Sequence, residues 1–123
     1  MRKYLRNFAA AGFAMALLAG TAAPTLAHAV VVTATPAAEQ HVAPGKLTIR
    51  IEFNSRIDKE RSRLQLTAPD GAKSDVAINP EGEPNVISGT TGELVAGAYV
   101  LRWQVLAIDG HITRGDIPFT VGN

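Results

Sequence analysis

The chain has 123 residues, with 12 lysines and arginines against 11 aspartates and glutamates, a formal charge of +1 and no cysteine. This length supports one domain around one core, and the lack of cysteine excludes disulfide staples and any thiolate metal site. Basic residues alternate with acids, as in the run Arg56, Asp58, Lys59, Glu60, Arg61. Such a run reads as a solvated surface and excludes the basic stripe that tracks a nucleic-acid backbone.

The first 27 residues stand apart from the rest. Arg2, Lys3 and Arg6 precede an apolar stretch from Phe8 to Ala19 that is too short to span a bilayer comfortably. Small residues then lead to Ala27, so residues 1–27 are expected to be a secretory signal peptide and residues 28–123 the exported domain. A cut after Ala27 would expose His28 as the N-terminal residue. A cut after Ala29 also fits, because Ala27-His28-Ala29 is itself an A-x-A triplet, and it would leave Val30 at the terminus.

The exported part is one domain of about 95 residues. The leader takes three basic residues and no acid, leaving nine against 11 and a formal charge of −2. Met1 and Met15 both lie in the leader, so the domain holds no sulfur ligand and a Cu(I) site built on sulfur is excluded.

The exported segments alternate with the period of half-buried strands, are separated by turn residues and lack helical periodicity. Val30 to Ala34 reads as a first strand closed by Thr35-Pro36. Lys46 to Phe53 is the clearest strand, with Leu47, Ile49, Ile51 and Phe53 on one face. Arg63 to Thr67 runs into the turn Pro69-Asp70-Gly71, and Ala72 to Ile78 returns as a weaker strand. Asn79 to Asn85 is rich in breakers and reads as a mobile surface loop.

Ala98 to Leu106 is the longest strand, and Gly115 to Val121 closes the chain. Pro118, which has no N–H to donate, is expected at an edge or a bulge. About seven short strands imply an all-β, Ig-like Greek-key sandwich with Trp103 and Phe53 filling the space between the sheets. A small closed barrel is the competing architecture.

Three residues carry the chemistry. An N-terminal His28 would offer two nitrogens, the α-amine and imidazole Nδ1. A second imidazole and a carboxylate would complete a tetragonal N,N,N,O set suited to one Cu(II) ion. Asp109 and His111 supply that pair, two residues apart across Gly110. On an extended backbone their side chains leave on the same side; alternatively, Asp109-Gly110 is only a turn and His111 a surface residue. His41, in a polar approach to Pro44-Gly45, is expected to be an exposed loop histidine, and Tyr99 to be structural. No nucleophile elbow, Ser-His-Asp or Cys-His motif, or phosphate-binding glycine loop is present, so no enzyme is expected.

These residues form a recognisable set: His28-Ala29, Thr35-Pro36-Ala37, Pro44 before a strand ending in Phe53, Ala96 to Val100, Arg102-Trp103, Asp109-Gly110-His111, Gly115 and Phe119. Across nearly the whole exported chain this set resembles the CopC family of periplasmic copper-resistance proteins. The resemblance implies a β-sandwich that binds one Cu(II) in the periplasm and serves copper homeostasis or resistance by buffering or delivering the ion. It further implies that His28 supplies amine and imidazole, His111 a second imidazole, and Asp109 a carboxylate at or near the metal. An inner-membrane copper transporter of the CopD type is the implied partner.

Two departures stand out. Many relatives carry an acid shortly after the phenylalanine that ends the second strand, where this chain has Asn54, Ser55 and Arg56. Val30 also replaces the histidine that some relatives have at the third exported position, and no methionine-rich segment is present. Two further readings stay open. One is a histidine-brace copper oxidase, which a carboxylate on the metal would oppose. The other is a metal-free Ig-like interaction module, which gains if cleavage occurs after Ala29.

Overall fold

The structure, a computed structural model, describes residues 29–122. The expected leader and His28 lie outside the described residues. The chain forms β1 (Val31–Thr35), β2 (His41–Val42), β3 (Gly45–Phe53), β4 (Ile57–Thr67), β5 (Lys73–Val76), β6 (Val86–Leu94), β7 (Gly97–Ala107) and β8 (Ile112–Val121). They make one sheet in the order β1-β3-β6 and a second in the order β2-β8-β7-β4-β5. Two open sheets packed face to face are a β-sandwich, and the unpaired edges of each exclude the closed barrel.

The alternation read from the sequence places the core. Ile49, Ile51 and Phe53 of β3 and Tyr99, Leu101, Trp103, Val105 and Ala107 of β7 are all buried, each strand giving every second side chain to the interior. Phe53 and Trp103 meet edge to face across the sheets at 5.2 Å, as expected, while Tyr99 stacks on Phe119 at 5.5 Å. Each large side chain fully buried in this way contributes about 1.5–3 kcal/mol. Gly115 is required beside the indole, because a Cβ there would stand 2.5 Å from Trp103 Cζ2.

The structure adds strands that the pattern does not mark. β6 has no clear signature in the sequence, since Gly89 and Gly92 interrupt it and its burial does not alternate strictly. Gly89 also lies against the backbone of Ala77, where a Cβ would come within 2.5 Å of the carbonyl oxygen. β4 begins at Ile57, six residues before the expected start, so Asp58 to Arg61 of the charged run lie within a strand, half-buried at Asp58 and Lys59 and exposed at Glu60 and Arg61. Ile57 and Ser62 face inward while Asp58 pairs with Arg61 at 2.7 Å, and the Arg61 guanidinium holds the Asp58 carboxyl below its usual range. The register with β7 shifts between Asp58 and Arg63, which breaks the alternation on which a sequence reading depends.

Pro118 sits in β8 opposite Val100, and its carbonyl accepts from Glu39 N–H at 2.7 Å. A strand residue turns its N and C=O to the same side, so the missing N–H faces the outer edge beyond β2 and costs no bond to β7. The 79–85 segment is the expected surface connection. It is tied by Lys59 Nζ to Glu81 O at 3.0 Å and by Phe53 N–H to Asn85 O at 2.8 Å.

Candidate metal centre

The β7–β8 hairpin closes through Ala107-Ile108-Asp109-Gly110-His111. Gly110 N–H donates to Ala107 O at 2.8 Å and Ala107 N–H to His111 O at 2.9 Å. Gly110 has φ +94, a conformation that glycine adopts without a Cβ clash. Asp109 Oδ1 accepts from His111 N–H at 3.1 Å, the short-range bond that makes aspartate common in such turns. The extended backbone expected as one option for this segment is therefore corrected to a tight turn. That turn nonetheless joins the two side chains, with His111 Nδ1 3.1 Å from Asp109 Oδ2.

Both carboxylate oxygens thus serve His111. The backbone N–H of His111 is the main cause that holds the Asp109 carboxyl below its ordinary value; partial burial opposes it, and the imidazole contact adds to the lowering. An ionised carboxylate only accepts, so a neutral ring must carry its proton on Nδ1 for this contact to be a hydrogen bond. The lone pair then lies on Nε2. A carboxylate that orients an imidazole in this way also raises its basicity toward a metal.

The same end of the sandwich receives the start of the described chain. Val30 N–H donates to Asn54 Oδ1 at 2.8 Å, and Asn54 N–H returns a bond to Val30 O at 3.0 Å. Two residues on, Arg56 O accepts from Ile108 N–H at 3.0 Å, next to the pair Ile57–Ala107. The three-residue connection between β3 and β4 therefore holds the first described residues on one side and the Asp109-His111 hairpin on the other. Ala29, only 2% exposed, belongs to the core cluster. Val30, Ile108 and Ile112 remain 55–67% exposed around this end.

Of the three expected ligands, Asp109 and His111 are brought together, and His28 lies outside the described residues. Among the described residues no group of three or more metal-ligating side chains forms. His41 is exposed as expected, but it begins β2 instead of sitting in a loop, with Nδ1 2.9 Å from Thr120 Oγ1. Thr120 pairs with Ala98 at the far end of the β7–β8 ladder, away from the hairpin turn. Sequence reasoning marks Asn54 only as a departure from relatives and misses its bond to Val30. Ser55 Oγ, beside it, is buried and has no hydrogen-bond partner among the described residues.

The CopC domain model matches residues 31–122, and the chain belongs to the CopC family. It is 29% identical to Protein YobA of Escherichia coli (strain K12) over 98 residues, which cover 77% of this chain and 79% of that one. It is 28% identical to Copper resistance protein C of Pseudomonas syringae pv. tomato over 102 residues, 77% of this chain and 81% of the relative. Among solved structures it is similar to CopC from Methylosinus trichosporium OB3b, with a TM-score of 0.71 and 28% identity over 76% of this chain and 93% of that one. Family membership together with these relatives supports a copper-related function.

Proposed function

We propose that this chain is a periplasmic Cu(II)-binding protein that buffers or delivers one copper ion after a leader of residues 1–27 is removed. The ligand set is the amine and imidazole of His28 and the imidazole of His111, with the carboxylate of Asp109 at or near the metal. The observation that carries this reading is the Asp109–His111 pair, preset at 3.1 Å on the end of the sandwich where the domain's first residues are held. An ionised carboxylate and an imidazole with its lone pair on Nε2 are hard and borderline donors of the kind Cu(II) prefers. In the geometry of this contact Asp109 keeps the imidazole turned toward the ion, and its Oδ2 would have to leave Nδ1 to join the metal itself.

Burial of Ala29 supports cleavage before His28, because a cut after Ala29 would remove a core side chain. The activity is binding and transfer, not catalysis: a carboxylate in the copper sphere opposes the open position that an oxidase needs. The exposed side chains of Ile108 and Ile112 flank the pair and suit hand-off to a CopD-type inner-membrane copper transporter.

The test is a competition titration of untagged protein beginning at His28, with the copper EPR signal recorded alongside. One tightly held Cu(II) with nitrogen hyperfine structure, lost in His28→Ala, is expected. Protein with that terminus and no tight Cu(II) uptake near neutral pH would overturn the reading.

A further inference from the structure

We infer that Asn54 is a positioning residue for the copper centre, acting through the Val30 backbone to fix the distance between the N-terminal chelate and the Asp109-His111 hairpin. The inference rests on the copper reading above and concerns how that site is built. Asn54 touches no metal ligand among the described residues; its effect passes through the chain.

β1 enters its sheet through an irregular register. Val31 pairs with Phe53 but Thr33 pairs with Glu52, so a bulge at Val32 interrupts the ladder just after the chain joins it. A bulge bends its strand and weakens the pairing beside it. Residues ahead of it need another anchor if their position is to be fixed. Asn54 supplies one from both its backbone and its side chain: its N–H bonds Val30 O at 3.0 Å and its Oδ1 accepts Val30 N–H at 2.8 Å. A purely apolar side chain at position 54 would leave the second of these unmade.

The rest of the β3–β4 connection ties this clamp to the hairpin. Arg56 O holds Ile108 N–H at 3.0 Å, and Ile108 immediately precedes Asp109. Val30 and Ile108 are thus fixed to backbone only two residues apart, on one short connection. His28 stands two peptide units from Val30, a reach of at most about 7–8 Å between α-carbons. Without the side-chain bond, the core packing of Ala29 and the Asn54 N–H bond to Val30 O still hold the chain but leave Val30 N–H unpaired, so the volume open to the terminal amine widens while the hairpin is unchanged. The cost falls on chelation, because ordering a mobile terminus at the moment of binding opposes it.

Asn54 is exposed, so its substitution leaves the core intact. The experiment compares wild type, Asn54→Ala, Asn54→Leu, Asn54→Asp and His111→Ala, all beginning at His28, for Cu(II) affinity, EPR spectrum, melting temperature and Val30 amide exchange. Wild type should hold one ion in one EPR species. Asn54→Ala and Asn54→Leu should bind about 10-fold more weakly, in more than one species and with faster Val30 exchange, at a melting temperature within a few degrees. Asn54→Asp keeps an acceptor for Val30 N–H and should restore a single species.

Wild-type affinity in Asn54→Ala, or a loss that Asn54→Asp fails to restore, overturns the positioning role while leaving the copper reading in place. Failure of wild type itself to bind overturns both, and His111→Ala marks how a lost ligand looks beside a lost clamp.

Discussion

Two turns in this molecule are built alike and differ in what they can do. Ala68-Pro69-Asp70-Gly71-Ala72 joins β4 to β5, and Ala107-Ile108-Asp109-Gly110-His111 joins β7 to β8. In each, the first alanine exchanges bonds with the fifth residue and the glycine: 2.8 and 2.9 Å in one turn, 2.9 and 2.8 Å in the other. Each aspartate Oδ1 accepts from the residue after its glycine, at 3.0 Å from Ala72 and 3.1 Å from His111. The glycines have φ +89 and +94.

Only two positions separate them. Where one turn has Ala72 the other has His111, whose ring returns to Asp109 Oδ2. Where one has Pro69, which cannot donate, the other has Ile108, whose N–H binds Arg56 O. Pro69 instead packs on Gly97, where a Cβ would stand 2.4 Å from its ring. The turn and the Asp109–His111 contact are therefore not rival readings of Asp-Gly: one backbone device serves both, and the residue after the glycine decides whether an imidazole meets the carboxylate.

Substitutions that convert one turn into the other test this directly. His111→Ala gives the hairpin the Asp-Gly-Ala sequence of its counterpart; Cu(II) affinity should fall by about 100-fold or more with the melting temperature nearly unchanged, read by competition titration and thermal scans. Asp109→Asn keeps an Oδ1 that accepts from His111 N–H but loses the ionised oxygen facing Nδ1, so the fold should persist while affinity drops about 10-fold or more. Ile108→Pro copies Pro69 and removes the bond to Arg56 O; affinity should fall about threefold, with the Asp109–His111 contact retained in imidazole NMR shifts.

The pH dependence separates the turns further. The Asp109 carboxyl is held below its ordinary value of 3.8 in the folded protein. Its contribution to stability is therefore complete above that value and disappears as pH falls through the lower, folded one. Melting temperatures of wild type and Asp109→Asn should converge in that acid range. Copper should also leave as the pH falls, because protons compete with the ion for the amine and imidazole nitrogens. The smallest effect is expected for Ala72→His: it reproduces the pair at the first turn, but with neither a chelating terminus nor the 54–56 connection beside it, so copper bound at one equivalent should not rise.

Much of the sandwich is legible in the sequence because β3 and β7 alternate without interruption, and these two strands carry Phe53 and Trp103. β6 is not, since Gly89 is there for close approach to Ala77 and its neighbours keep to no single period. The two residues of β2 owe their strand character to parallel pairing with Thr120 and Val121, far along the chain. At the site, Asp109 and His111 can be selected from residue type and spacing, but the geometry that joins them cannot: an extended segment and a turn predict the same proximity by different routes. Asn54 carries no positive signal, because accepting from Val30 depends on β1 lying beside β3.

The most direct test is the intact mass of protein exported from its own leader, measured with and without one equivalent of Cu(II). A chain beginning at His28 that retains one copper is expected. A chain beginning at Val30, or one beginning at His28 that retains no metal, would contradict that expectation.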